Sequence, residues 1–302
     1  MTHIKTNGTA FDMPDVDDPL SSPAQHTISE GDANQLFNSI LSKGAIAMSP
    51  PKTNKKIYYR IAASLAVFFI LSCTLFMIFQ NREIIEHTSF GEVKNITLPD
   101  GSMVALNGNS TMTYKATWDD DQEPRIVKIE GEAFFSILHT KSNQPFLVQT
   151  NDEFSVEVVG TKFNFLHRTG RAEVVLSEGQ VKVNIRKADA LEQINMKPGD
   201  AVSYEKKTHA VAQRQVKAEA KSSWRNARLM LDNSSLAEVI LRIEETYGVT
   251  VQVKNQELLG LKLWGTVPSG NLENLLKGIE ASFNLKIEQH DKVITISKIP
   301  VL

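Results

Sequence analysis

Acidic side chains at close spacing are the first residues in this sequence that could carry out a reaction. Glu130 and Glu132 flank Gly131, and Asp100 stands beside Gly101. Two carboxylates can divide acid and base roles only when they share a cleft. Here they bracket a glycine that reads as a turn, where acids are solvated or bond local backbone amides. The histidines beyond residue 80, His87, His139, His167, His209 and His290, show no metal-ligand spacing, and no cysteine accompanies them. Asp119-Asp120-Asp121 offers oxygen ligands for calcium but lacks the alternating ligand pattern, so it reads as an exposed loop. There is no serine elbow, Walker loop or dinucleotide fingerprint. The expectation is therefore no enzyme: no catalytic residue, no metal and no cofactor. Trp224 and Trp264 are either core residues or anchors at a protein interface, where large aromatics carry much of the binding energy.

The elements that would position these residues are organised around Ile61 to Phe79, a run without charge, Gly or Pro. A helix rising about 1.5 Å per residue needs roughly 20 such residues to cross the hydrocarbon core. With Ile57, Tyr58 and Tyr59 extending its edge, the predicted span is 57–80. Lys52, Lys55, Lys56 and Arg60 precede the apolar run Ile61 to Phe79, against Arg82 followed by Glu83 and Glu86. This bias places the N-terminal side in the cytoplasm and the bulk of the chain across the membrane. The run lies too deep for a cleaved signal peptide. Ala62 and Ala66 form a weak small-xxx-small pair for helix association. The one cysteine, Cys73, lies inside the span, so no disulfide can staple the exported part. A net charge of -2 argues against a direct nucleic-acid binder.

Residues 1–56 read as a cytoplasmic tail, mostly disordered, with one short helix from Ser29 to Lys43. Leu36, Phe37, Ile40 and Leu41 give that helix one apolar face, for a cytoplasmic partner or the bilayer surface. From 90 to 205 short strands alternate with turns such as Pro99-Asp100-Gly101-Ser102 and Asn107-Gly108-Asn109, whose glycines supply the positive φ of tight hairpins. This predicts an all-β sandwich or rolled sheet. Residues 206–222 are polar and Ala-rich and read as a connector. In 223–302 the period switches. Leu236, Val239, Ile240 and Ile243 follow the capping box Ser235-x-x-Glu238 and end at Tyr247-Gly248. Leu272, Leu275, Leu276, Ile279 and Phe283-Asn284 repeat the pattern thirty-six residues later. The prediction is a small α+β domain of two βαβ units sharing one sheet.

Leu98-Pro99-Asp100-Gly101-Ser102, Gly131-Glu132-Ala133-Phe134-Phe135, Gly160-Thr161-x-Phe163-Asn164 and Leu176-x-Glu178-Gly179 together resemble the FecR family of membrane-bound sigma regulators. The likeness runs from about Phe90 to Tyr204. The segment from Trp224 through Tyr247-Gly248 and Gly265 resembles the C-terminal domain of FecR proteins common in Bacteroidetes, itself similar to the short periplasmic domain of secretins and TonB-dependent receptors. The resemblance implies an inner-membrane, single-pass anti-sigma factor or sigma regulator. Its periplasmic part would contact the signalling domain of an outer-membrane TonB-dependent transducer, with Trp224 and Trp264 as interface candidates. Its cytoplasmic part would control an extracytoplasmic-function (ECF) sigma factor, with Leu36, Phe37, Ile40 and Leu41 as the contact. The tail departs from the family pattern in having a single short helix and no Trp. A different reading is a membrane-tethered periplasmic scaffold or binding protein without sigma control.

Overall fold

The computed structural model describes residues 29–44, 54–80, 82–150, 153–187 and 190–299. The chain divides into two units, residues 1–66 and 67–302. The first holds helix α1 (Glu30–Gly44) and the start of helix α2 (Lys55–Gln80). Ser29 caps α1, its Oγ accepting from the Asp32 amide at 3.4 Å. Leu36, Phe37, Ile40 and Leu41 all stand exposed on it. Residues 55–75 of α2 are the one stretch among the described residues long and apolar enough to cross a membrane, and none of it is buried in protein. Ser64 and Thr74 return their hydroxyls to the Ile61 and Ile70 carbonyls, so these two donors do not face lipid unpaired.

The second unit carries the β domain. Its strands are β1 (Glu83–Thr88), β2 (Lys94–Thr97), β3 (Met103–Leu106), β4 (Ser110–Lys115), β5 (Arg125–Ser136), β6 (Phe146–Gln149), β7 (Phe154–Val158), β8 (Lys162–Arg168), β9 (Arg171–Glu178), β10 (Val181–Lys187), β11 (Ala190–Met196), β12 (Asp200–Glu205) and β13 (Ala210–Gln215). They form one continuous sheet folded on itself, as the expected sandwich or rolled sheet requires. The fold line is β5. Its first half pairs with β4 and, in parallel, with β6; its second half pairs with β3 and β8. Phe135, Phe146, Phe163 and Phe165 fill the space between the layers, with Phe135 stacked on Phe163 at 5.0 Å.

Gly131 is where β5 changes layer. It has φ +116°, and a Cβ there would lie 2.2 Å from the Ser110 Oγ. The expected turn at Glu130-Gly131-Glu132 is therefore a kink inside one long strand, because a glycine in a strand can bend it without ending it. The Asn107-Gly108-Asn109 segment is likewise no hairpin. It carries the chain from β3 in one layer to β4 in the other. The β4 strand itself is masked in sequence by Ser and Thr, yet Ser110, Met112 and Tyr114 point inward at strict period two.

The stretch read as a connector contains β13 and a short helix, α3 (Ala218–Ser222). Strand β13 pairs along its length with β12 while nearly all its side chains face solvent. An edge strand open to water can be polar and Ala-rich, which is why its texture read as a linker.

The C-terminal domain follows with β14 (Arg228–Ser235), α4 (Leu236–Tyr247), β15 (Thr250–Val253), β16 (Lys262–Pro268), α5 (Leu272–Phe283), β17 (Leu285–His290) and β18 (Val293–Lys298). Ser235 and Glu238 form the capping box of α4, at 3.2 and 2.9 Å. Helix α5 ends at Asn284 in the left-handed conformation. The order β-α-β, β-α-β is present, but the strands occupy two sheets rather than one. Strand β14 pairs with β16, while β18 lies between β15 and β17. Ile294 and Ile296 of β18 are completely buried, and the most apolar strand takes the central place.

Candidate functional site: the polar seam between the β and α+β domains

Two sets of residues that the sequence singles out occupy different places. Asp100, in the turn between β2 and β3, accepts from the Ser102 amide at 2.9 Å and hydroxyl at 2.7 Å. It also takes the guanidinium of Arg125, which is completely buried and donates to the Leu138 and Gln144 carbonyls at 3.1 and 2.8 Å. This buried pair ties the Pro99-Asp100-Gly101 turn to the centre of the sheet. Gly160, Thr161 and Gly179 form a second tie. The Thr161 hydroxyl donates to the Gln180 carbonyl at 3.0 Å, and the Gly160 carbonyl lies where a side chain on Gly179 would sit. With Phe163 in the core, these residues build the β domain.

Glu132 and Phe134 do something else. The kink at Gly131 turns them out of the sandwich toward the α+β domain. The Glu132 carboxylate is nearly inaccessible, and three donors surround it: Asn107 Nδ2 at 2.7 Å, Asn164 Nδ2 at 2.9 Å and Arg242 Nη2 of α4 at 3.1 Å. Asn164 then accepts from Trp224 Nε1 at 3.2 Å. Trp224 is only 6 % exposed. It is closed inside the seam and is no surface anchor. The indole is consumed by Asn164 and by packing between the domains. Phe134 lies under the Arg225 guanidinium, 3.5 Å from its ring centre. Trp264, on β16, is 59 % exposed and remains available.

The C-terminal end of α4 docks against the β domain beside this cluster. Its last carbonyls lack partners within the helix and carry partial negative charge. Arg168, almost fully buried, donates to the Glu245 carbonyl and to the Gly108 carbonyl. The Gly91 amide donates to the Thr246 carbonyl at 2.8 Å, and Asn109 Nδ2 reaches Glu245 O at 3.3 Å. Burial pulls the Arg168 pKa down, while Glu132 and Glu245 hold it up against that loss of solvent. Gly108 has to be glycine for closeness alone. A Cβ would lie 2.7 Å from the Gly91 nitrogen and 2.9 Å from the Thr246 oxygen.

A cleft of about 580 Å³ opens along the seam. Its charges are paired with one another: Arg171 with Glu245 at 3.2 Å, Lys217 with Asp232 at 2.9 Å, and Glu173 with both Arg214 and Lys221 at 2.7 and 2.9 Å. Burial pushes the Glu173 carboxyl up, but Lys221 and Arg214 outweigh it and hold the group below its ordinary value. Glu130 is exposed and points away from Glu132, so these two acids do not share a cleft. Asp119, Asp120 and Asp121 lie exposed in a loop. No cluster of His, Cys, Asp and Glu among the described residues has the form of a metal site. Arg168, Arg242 and Glu245 gave no signal in the sequence, since each reads as an ordinary surface charge until the domains meet.

The fold and its seam define a class: a membrane-tethered protein whose β sandwich and α+β domain are locked together by buried recognition contacts. Comparison with known proteins gives the family. Residues 85–182 match the family described as FecR protein, and residues 228–296 match the one described as FecR, C-terminal. The chain belongs to the FecR family, a regulatory, non-enzymatic family acting on sigma factors. Two crystal structures of a candidate anti-sigma factor from Parabacteroides distasonis ATCC 8503, at 1.65 and 2.50 Å, share the fold. Each superposes with a TM-score of 0.61 at 23% identity, covering 72% of this chain and 100% of that one. No curated protein matches the chain.

Proposed function

We propose that this sigma regulator relays a signal from the signalling domain of an outer-membrane TonB-dependent transducer to an ECF sigma factor. Residues 1–56 lie in the cytoplasm in this reading, 57–80 cross the inner membrane, and the two docked domains lie in the periplasm. The basic flank ahead of the span supports the orientation. The observation that carries the inward arm is α1, a capped helix with Leu36, Phe37, Ile40 and Leu41 all more than half exposed. Four large apolar side chains on one face of a helix are the pattern of an amphipathic helix that seats in a groove. Exposed Trp264 is the receptor-side contact, and the rigid seam passes a load on either domain to the other.

The test is capture. Full-length tagged protein in detergent is presented with the host's ECF sigma factors, beside the Phe37→Asp variant. Specific retention of one sigma factor, lost in Phe37→Asp, supports the relay. Absence of capture by the intact chain favours the membrane-tethered periplasmic binding protein instead. On the outer side, Trp264→Ala leaves the melting temperature within about 1 °C, as befits an exposed side chain, and abolishes binding of the receptor's signalling domain.

A further inference from the structure

Residues 67–302 form one unit, and within it α2 ends at Gln80 and β1 begins at Glu83. At about 3.3 Å per residue that step reaches ~10 Å at most. The strand also starts without slack. The Arg82 carbonyl accepts from the Ala116 amide at 2.8 Å, and Glu83 pairs with Lys115. With 57–80 crossing the bilayer, the end of the sandwich that β1 enters is held at the lipid surface, whichever way the span is oriented. The strand register shows what else lies at that end. Tyr114 is level with Val127, which places the start of β5 beside the end of β4, and Arg125 is level with Phe146. The Arg125 guanidinium takes the Leu138 carbonyl, so the chain leaving β5 returns to the same end. The α+β domain docks at the other end, beside Gly108 and the kink at Gly131.

The two sides of this base differ. On one, Asp119, Asp120 and Asp121 stand exposed, and anionic lipid repels them. On the other, Leu138 is fixed through both backbone groups: its amide donates to Ser102 Oγ at 2.9 Å and its carbonyl accepts from Arg125 at 3.1 Å. Its side chain is nevertheless 52% exposed. Met103 pairs with Ser136, two residues before Leu138, so Met103 and Leu138 project from the same face. Met103 is 61% exposed. Lys162 lies next to Ser136 in the same row, and Lys141 is exposed on the loop that Leu138 opens. Apolar side chains flanked by lysines are the composition that rests in a headgroup layer. Folding has already fixed the backbone that carries them, so seating them costs little further order. We propose that Met103, Leu138 and Lys141 form a membrane-contact face, the apolar pair entering the headgroup layer and the lysine meeting lipid phosphates. This rests on the span reading alone, and neither the sigma factor nor the receptor enters it. The contact fixes the tilt of the sandwich on the bilayer, so a load on the docked domains reaches α2 instead of being lost in a swivel.

The test is fluorescence quenching in nanodiscs of phosphatidylethanolamine and phosphatidylglycerol that carry a nitroxide on the lipid headgroup. Full-length protein with Cys73→Ser carries a fluorophore at Ser142→Cys, in the exposed loop, or at Lys277→Cys, exposed on α5 of the α+β domain. Strong quenching at 142 and little at 277 are expected. Leu138→Asp combined with Lys141→Glu lowers the quenching at 142 by about twofold or more, while the melting temperature stays within about 1 °C because both side chains are exposed. Met103→Asp acts in the same direction and serves if the paired variant fails to fold. Quenching at 142 that survives in both variants means that the tether alone keeps the loop near lipid, and it overturns the contact. So does an unquenched probe at 142, or equal quenching at 142 and 277. Protein recovered outside the nanodisc fraction overturns the span and the contact with it, a failure distinct from loss of sigma-factor or receptor binding.

Discussion

Deleting the Glu132 carboxylate is the sharpest test of the seam. Its side chain is 3% accessible and accepts from Asn107, Asn164 and Arg242. In Glu132→Ala two amide donors and a guanidinium lose their acceptor together. Hydrogen bonds to charged groups contribute about 1.5–3 kcal/mol each, but the sum overstates the loss. Removing one member of a buried ion pair costs about 3–5 kcal/mol. Arg242 keeps 27% of its side-chain surface in water and can be resolvated there, which favours the low end. The expected loss is about 3 kcal/mol, or roughly 6–12 °C in melting temperature for a folded part of this size.

The assay is thermal unfolding of the full-length protein in detergent, followed by tryptophan emission. Trp224 is tied through Asn164 to Glu132, so its emission shifts to the red before global unfolding if the domains part. A double-mutant cycle with Arg242→Ala separates the pair from its surroundings. The expected coupling is about 1 kcal/mol or more, since the partners touch. A melting temperature within about 1 °C of the parent, or singles and double that add within ~0.3 kcal/mol, would refute the latch. In that case the domains are held by apolar contact alone.

Three further changes address other parts of the argument. Gly131→Ala forces a Cβ into the Ser110 side chain at a positive φ and lowers stability by about 2–4 kcal/mol, read as an unfolding midpoint in urea. Arg125→Lys strips the planar fork from a completely buried site while leaving Asp100 charged, and costs about 3–5 kcal/mol in the same assay. Glu173 has its pKa held below the ordinary 4.5, so its contribution to stability is complete above that value and lost as pH falls through the lower folded value. The melting temperature of the parent should therefore fall below about pH 4.5 more steeply than that of Glu173→Gln. Parallel curves would refute it.

What could be read from the residues alone follows a physical line. The span, the short strands and the two amphipathic helices with their caps are local patterns, fixed by spacing within about a dozen residues. Strands β4 and β13 escaped, as did β1 and β11, because polar residues interrupt each of them, and their pairing partners are what reveal them. Gly131 shows the limit most directly. A glycine between two glutamates has the composition of a turn, and only contact with Ser110 from another strand makes it the hinge on which the sheet folds. The same holds for the site. Glu132 stood out beside that glycine, but its partners Asn164 and Arg242 lie 32 and 110 residues further along the chain, and nothing local distinguishes Arg242 from the other charges on α4. Trp224 was placed at an interface or in a core, and it is in both senses between them, buried at an interface internal to the chain. A regulator that must carry force or binding energy between domains needs such residues at the joint. Their polarity is what makes the joint specific, because an apolar seam tolerates sliding whereas a carboxylate with three fixed donors admits one register.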